Sequence, residues 1–399
     1  MIFQSLDDKI HCIGIYCEGE LVFDEVPEGL TGTWNHVPRL NNLNNVEYAK
    51  LYCKGKSLDE VCPEKLQSDW SSIQNKLKAF VKSFRISKVS FAEHCFYELV
   101  PKRFLLEYCE IKNRICEHVF KSYTKPENYD FMAQLSSVVG EIESRPLNID
   151  KEVLRNDLQE EKYRRFWKKL VDMPSHIRYN IYGTKTGRLT TTDGSFPILT
   201  MDKDFRKIIK PQNDWLVELD FNAAELRTFL ALSGHDQPQE DLHEWNRKNI
   251  YNGEGNRDDA KKRIFAWLYN PESKDKASGG KYDRNVILNN NWDGKQVLTP
   301  FGRKIEADKK HALNYIVQST TSDILLNQMI KINELLKETE SHISFCIHDN
   351  VVIDMKEEDY NKLSNMVQTF ADTKLGKYKV NVRIGKSYGD MKEINYANL

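Results

Sequence analysis

The period of the apolar positions changes several times along the chain, and each change predicts an element. Residues 10 to 26 alternate apolar and polar around Gly19, as a strand, a turn and a strand would, whereas Trp70, Ile73, Leu77, Phe80 and Val81 recur at helical spacing. A small α/β unit is expected there. Phe131, Leu135, Val138, Val139 and Ile142 predict a helix running towards Pro146, and a second helix is expected near 150 to 170. Trp215 to Asp220 is an apolar run ending in an acid, the pattern of a buried strand, and Ala223 to Leu232 returns to helical spacing with Glu225 and Arg227 in its first turns. Between about 270 and 297, Asn270-Pro271, Gly279-Gly280, three asparagines at 289 to 291 and Asp293-Gly294 predict a loop-rich excursion. Ser344 to Asp354 reads as two short apolar strands meeting at a polar tip, a hairpin with Asp349 at its turn.

Composition narrows the class. At roughly 150 residues per domain, 399 residues suggest two or three domains. With 58 Lys+Arg against 59 Asp+Glu the net charge is −1, so any nucleic-acid site must be a local patch rather than bulk charge. Hydrophobic residues at 40% and charged residues at 29% exclude a disordered or fibrous chain. No stretch of about 18 apolar residues occurs, and Asp7 and Asp8 interrupt the start where a signal peptide needs an apolar core. An intracellular, cytoplasmic protein without membrane contact is expected. Seven of the eight cysteines fall between Cys12 and Cys116, which supports a domain boundary near 125 where they stop. None forms a C-x-x-C pair, so reduced, mostly buried thiols are expected rather than a zinc or iron–sulfur site.

The candidate chemistry begins with two carboxylates at strand ends. Asp220 and Asp349 lie 349 − 220 = 129 residues apart, and acids so placed can converge on Mg²⁺, which takes hard oxygen ligands and leaves positions open for substrate phosphates. Taken singly, either acid reads more readily as an ordinary turn or strand-end aspartate, so the case needs other residues. Arg257, Lys261, Phe265 and Tyr269 are spaced by four in a segment of good helix propensity. Each step advances about 40°, so the four side chains form one stripe of about 120°. Two cations followed by two aromatics suit a triphosphate and a stacked base. A solvated basic face beside a core-facing aromatic edge would leave the same pattern.

Taken together and in order, these residues resemble family A DNA polymerases, the group of bacterial DNA polymerase I and many phage replicative enzymes. Gly183-Thr-Lys-Thr186-Gly187-Arg188-Leu189 resembles the family's T-x-T-G-R-L template–primer segment, and Asp220-Phe-Asn-Ala-Ala-Glu225-Leu226-Arg227 the motif with the first metal-binding Asp and the steric-gate Glu. Asp241-Leu242-His243 is similar to the family's D-I-H, whose His reaches the triphosphate. Arg257, Lys261, Phe265 and Tyr269 match the fingers helix, Asn314-x3-Gln318 the minor-groove pair, and His348-Asp349 the second metal motif. The resemblance covers roughly residues 125 to 399. Asn350 stands where the family usually has Glu, and Ala266 and Asn270 where the fingers helix usually has glycines.

The resemblance implies a mixed α/β (α+β) chain with a right-hand polymerase fold: an antiparallel-sheet palm, small helical fingers, a reduced thumb and an N-terminal α/β exonuclease-like domain. The expected divisions are 1–125 for that N-terminal domain, 126–235 for the first part of the palm, 236–297 for the fingers and 298–399 for the rest of the palm. From Asp150, in a segment similar to the palm entry, to Thr186 is 186 − 150 = 36 residues, so the thumb near 150–180 is expected to be one or two helices. The first strand carries no Asp-x-Glu, and Ala92 to Glu98 only faintly resembles the second exonuclease motif, so a degenerate exonuclease without proofreading is expected.

The implied reaction is template-directed 5′–3′ DNA synthesis from a primer and dNTPs. Asp220 and Asp349 would hold two Mg²⁺ ions, with Mn²⁺ able to substitute. Lys261 joins these acids as catalytic, and Glu225, His243, Arg257, Lys261, Phe265 and Tyr269 would bind the dNTP. Thr186, Arg188, Arg227, Asn314, Gln318 and His348 would meet DNA. A processivity partner is a further expectation. Arg303 and Lys304 suit either a DNA contact or a solvated strand edge. A single-subunit RNA polymerase and a primer–template binding protein without turnover are the rival readings. The Glu225-Leu226-Arg227 run and the T-G-R-L segment argue against the first, and intact Asp220, Lys261 and Asp349 against the second.

Overall fold

The strand Trp215–Phe221 is buried along most of its length because Leu216, Val217 and Leu219 are apolar on both faces and neighbours cover each side. It belongs to the second of two units, Met1–Ser144 and Arg145–Leu399, into which the chain divides. The structure is a computed structural model that describes residues 3–9, 12–40, 43, 45–89, 94–171, 173–270 and 272–395.

In the first unit, β1 (Gln4–Lys9), β2 (Cys12–Cys17) and β3 (Glu20–Phe23) form an antiparallel sheet. The turn between β2 and β3 places Glu18 and Gly19 at positive φ, which favours the glycine read from the sequence. Helices α1 (Glu64–Ile86), α2 (Lys102–Ser122) and α3 (Tyr129–Ser144) follow. The unit ends after α3 rather than near 125, because α3 is tied to the N-terminal residues. The Tyr129 hydroxyl accepts the Tyr48 backbone N–H at 2.8 Å, and its ring meets Tyr52 edge-on at 5.6 Å. Cys53, Cys62, Cys109 and Cys116 are buried free thiols, whereas Cys95 is disulfide-bonded, a departure from the reduced state expected throughout. In the segment compared with an exonuclease motif, Ala92 and Glu93 lie outside the described residues.

In the second unit the 3₁₀ helix Lys151–Asp157 leads to α4 (Glu161–Leu170), whose Phe166 stacks on Phe205 at 3.9 Å. Then come β4 (Trp215–Phe221), α5 (Ala224–Leu232), α6 (Leu242–Asn249) and α7 (Arg257–Tyr269). The stretch expected to be loop-rich instead holds α8 (Lys276–Lys281) and α9 (Arg284–Asn291). Asp275 and Asp283 cap them, accepting from the Ala277 and Asn285 backbone N–H groups, so residues that read as turn formers act as helix starts. The short strands β5 (Gln296–Leu298) and β6 (Lys304–Glu306) pair before α10 (Lys309–Leu336). That 28-residue helix is buried on several sides over its middle turns, where the polar run Ser319 to Asp323 is buried along with apolar Ile324, Leu325 and Leu326.

The hairpin β7 (His342–Ile347) and β8 (Asn350–Met355) turns at His348-Asp349, and α11 (Leu363–Ala371), β9 (Val380–Gly385) and β10 (Lys392–Ile394) complete the unit. The antiparallel sheet runs β7-β8-β4-β9-β10. Phe221 stacks on Phe370 of α11 at 4.3 Å, fixing the sheet against its helix. A second core gathers Leu226, Phe229, Ile264, Trp267, Tyr282 and Ile316 between the helices. No helix among the described residues is long and apolar enough to cross a membrane.

Candidate active site

The register of the central strands brings the two acids together. Asp220 on β4 pairs with Asn350 on one side and Asn381 on the other, and the Phe221 N–H donates to the Asp349 carbonyl at 3.4 Å. The hairpin tip turns tightly enough to put His348 at φ 53°, which sets Asp349 beside the end of β4. Burial pushes the Asp220 carboxyl up to about 7, reinforced by the charges of Asp349 and Glu218. Asp349 is also raised, by burial first, although its own backbone N–H, His348, Arg188 and Lys261 oppose the shift.

Two acids held this close while ionised would be stabilised by a cation, and their carboxylate oxygens are the donor set of a hard divalent ion. Among the described residues no cluster of three or more His, Cys, Asp or Glu side chains is placed to hold a metal by itself. An ion bound here would therefore complete its shell with water or substrate oxygens.

Opposite the acids stands α7. A capping box starts it: Asn256 accepts from the Asp259 N–H, and Asp259 accepts from the Asn256 N–H. Ile264, Trp267 and Leu268 face the core, so Arg257, Lys261 and Phe265 face a cavity of about 400 Å³ that Asp220, Glu225 and Asp349 also line. Arg257 donates to both oxygens of Asp241 at 3.0 and 2.7 Å, and Asp241 is held well below the usual carboxylate range by this pair and by hydrogen bonds from Glu244 and Asn222, against its burial. Lys261 has no ion pair among the described residues. His243 is buried beside Phe265, with ring centres 5.7 Å apart, and burial pushes it down to about 4. Its Nδ1 has no hydrogen-bond partner among the described residues. Tyr269, 40% exposed at the end of the stripe, stacks on Phe265 at 5.9 Å and does not line the cavity.

The T-G-R-L segment is pinned from two directions. The Thr186 hydroxyl donates to Gln318 Oε1 at 2.9 Å. Gly187, at φ 79°, lies under the Arg303 guanidinium so closely that a Cβ there would come within 2.4 Å of it. Arg303 in turn donates to both oxygens of buried Asp323 at 3.1 and 2.6 Å, so it is neither a solvated edge nor a free DNA contact. Arg188 then reaches Glu225 in an ion pair, which unites two residues expected to serve DNA and sugar separately. Arg188 and His348 border both the main cavity and an adjoining apolar one of about 290 Å³ lined by Leu199, Leu325 and Leu326.

One expected DNA contact stands elsewhere. Arg227 is fully buried, donating to the Asn222 carbonyl at 2.7 Å and to the Pro238 and Glu240 carbonyls at 2.9 Å. It braces the turn between α5 and α6, because the guanidinium has enough donors to satisfy three orphan carbonyls at once. Asn314 sits one helical turn before Gln318, with its Oδ1 buried and without a partner among the described residues. Glu218, Asn381 and Arg383, which no motif singled out, complete the surroundings of Asp220. Glu218 alone left a trace in the sequence, as a charge inside the apolar run of β4.

An acidic strand end thus faces a basic helix across one cavity. Comparisons with known proteins bear on what this arrangement serves. Residues 295–390 match the family model of DNA polymerase family A. The fold is similar to that of a chain described as the POL domain of Pol1 from M. smegmatis in complex with DNA primer-template and dNTP. The TM-score is 0.66 and the identity 12%, over 97% of this chain and 95% of that one. No curated protein matches the sequence. The likeness to DNA polymerase family A thus lies in residues 295–390, and the likeness of fold to that POL domain extends over nearly the whole chain.

Proposed function

We propose that the protein extends a DNA primer on a template by a two-metal reaction with dNTPs, and that the cavity shared by Asp220, Asp349 and Lys261 is where the bond forms. The observation that carries this reading is the meeting, in one cavity, of a buried acid pair and an unpaired lysine on the facing helix. Asp220 and Asp349 would hold two Mg²⁺ ions. When bound, these would lower the pKa of the primer hydroxyl and offset charge on the leaving group. The primer 3′ oxygen attacks the α-phosphorus, the bond to the bridging oxygen of the β-phosphate breaks, pyrophosphate leaves, and the hydroxyl proton passes to solvent.

The protein's own residues mostly position and neutralise. Lys261 and Arg257 take the triphosphate, and neutral His243 turns its ring to it as a hydrogen-bonding group. Phe265 packs on the sugar and base, with Tyr269 beyond it beside the templating base. Glu225, fixed by Arg188, lies under the sugar and leaves no room for a 2′-hydroxyl. Thr186, Gln318, Asn314 and His348 lie along the duplex, whose phosphates and minor-groove edges they would read without regard to sequence. The palm comprises the sheet with α10 and α11, the fingers α6 to α9, and the reduced thumb the short helices of 151–170. The first unit is read as a non-proofreading remnant. Release of nucleotides from a mismatched primer end would contradict that part alone.

The direct test is single-nucleotide extension of a labelled primer with each dNTP and each rNTP in Mg²⁺. Addition of the templated dNTP alone is expected, with Glu225→Ala admitting ribonucleotides. Untemplated addition, or equal use of both sugars by the wild type, would contradict the reading.

A further inference from the structure

Beneath the floor of the cavity, two residues before Asp220 on β4, Glu218 is only 4% exposed. Alternation along a strand puts Glu218 and Asp220 on the same face. Cross-strand register sets Arg383 of β9 beside Glu218, and Asn350 of β8 beside Asp220. Glu218 Oε1 accepts from Arg383 Nη1 at 3.2 Å, and Oε2 from Asn350 Nδ2 at 3.5 Å. A buried carboxylate is costly unless it is paired, and these two donors meet that need.

The two partners of the ion pair face different surroundings. Glu218 does not border the cavity, whereas Arg383 does, with 45% of its side chain exposed. Arg383 also lies within electrostatic reach of Asp220. Among the described residues Asp220 nonetheless has no ion pair, and accepts only from the Asn381 amide at 3.4 Å. A cation on the rim of an acidic cavity is thus engaged from below while the acid next to it stays open.

We propose that Glu218 is a positioning residue for the acid pair. It holds the Arg383 guanidinium off the Asp220 carboxylate, which stays available to a divalent cation, and it makes a neutral side chain necessary at 350. A glutamate there would set two carboxylates against each other at the distance where Asn350 now donates. The departure at 350 from the usual acid is in this view the counterpart of the acid at 218, and the two positions and Arg383 form one set. The inference rests on the reading of Asp220 and Asp349 as cation ligands.

The test is Mn²⁺ binding to the DNA-free protein, followed by electron paramagnetic resonance of free Mn²⁺, in the wild type, Asp220→Ala, Glu218→Gln, Arg383→Gln and the Glu218→Gln/Arg383→Gln pair. Glu218→Gln should weaken binding about tenfold, the effect of one nearby like charge. The double variant should return to within about threefold of the wild type. Arg383→Gln alone should tighten binding, which keeps the proposal testable if Glu218→Gln does not fold. Unchanged affinity in Glu218→Gln, no recovery in the double variant, or unchanged or weaker binding in Arg383→Gln would overturn it. Asp220→Ala separates the two claims: if it binds Mn²⁺ like the wild type, the cation reading of the acids fails, whatever Glu218 does. Asn350→Glu should lower Tm in the wild type and less so with Glu218→Gln. Equal losses in both backgrounds would overturn the link between 218 and 350.

Discussion

The two walls of the cavity store charge in opposite ways. On the strand side, Asp220 and Asp349 are both raised by burial, and Asp220 is raised further by the charges of Asp349 and Glu218, so this wall carries acids that favour a positive partner. On the helix side the cations are at ease: Arg257 is satisfied by Asp241, and Lys261 keeps its charge free at the cavity. The difference follows from the elements. A central strand covered on both sides desolvates what it carries, whereas a helix lying on the core by one face leaves its other face to water. The acid wall is therefore shaped for a ligand that brings positive charge, and the basic wall for one that brings negative charge. A metal–nucleotide complex brings both.

The comparison can be broken first on the helix side. Lys261→Ala should lower the rate of nucleotide addition by about 10²–10³, the cost of losing one donor aimed at developing charge, with Tm almost unchanged. Arg257→Ala should lower the rate less and cost up to about 1 kcal/mol of stability, because half-buried Asp241 loses its bidentate partner in a solvent-screened pair. Primer-extension rates set beside thermal melts check the split, and a Tm loss for Lys261→Ala as large as that for Arg257→Ala would erase it.

Arg227→Met should cost about 3 kcal/mol in melting experiments, since three carbonyls lose their donors at once. A loss of DNA affinity without a loss of stability would return Arg227 to the DNA surface. A further effect is a pH dependence. His243 sits at about 4 when folded and near 6.5 when unfolded. Below about 6.5 the unfolded chain binds a proton that the folded one refuses, so stability falls as pH drops towards 4, by up to about 3 kcal/mol. Asp220, raised to about 7, acts in the opposite sense over the same interval, because the folded state then binds the extra proton. The His243 contribution is accordingly read as the difference between the wild-type and His243→Gln stability curves in the absence of divalent ions. Parallel curves would remove it.

Much of this was legible in the sequence because motifs and periodicity describe local geometry. The strand ending at Asp220, the hairpin turning at Asp349 and the stripe Arg257–Lys261–Phe265 stand where their spacing predicts, since each depends on neighbours within a few residues. Contacts between distant segments were not legible. Nothing local in Arg227 distinguishes a guanidinium that faces DNA from one that ties down three loop carbonyls, and nothing in Arg303 announces Asp323, twenty residues on. The helices α8 and α9 were hidden because aspartate before a short run reads as a turn until its side chain is seen capping. The end of the cysteine-bearing stretch predicts a boundary near 125, but the tyrosine that anchors α3 bonds a backbone 81 residues away.

The central claim is that Asp220 and Asp349 act together as the cation-binding acids of nucleotide addition. The most direct measurement is the rate of single-nucleotide addition to a primed template by the wild type, Asp220→Ala and Asp349→Ala, with DNA affinity measured in parallel. Each variant is expected to bind primer–template and to lose addition by about 10³-fold or more, a barrier increase of about 4 kcal/mol. Addition at near wild-type rate by either variant, with DNA bound as before, would contradict the account.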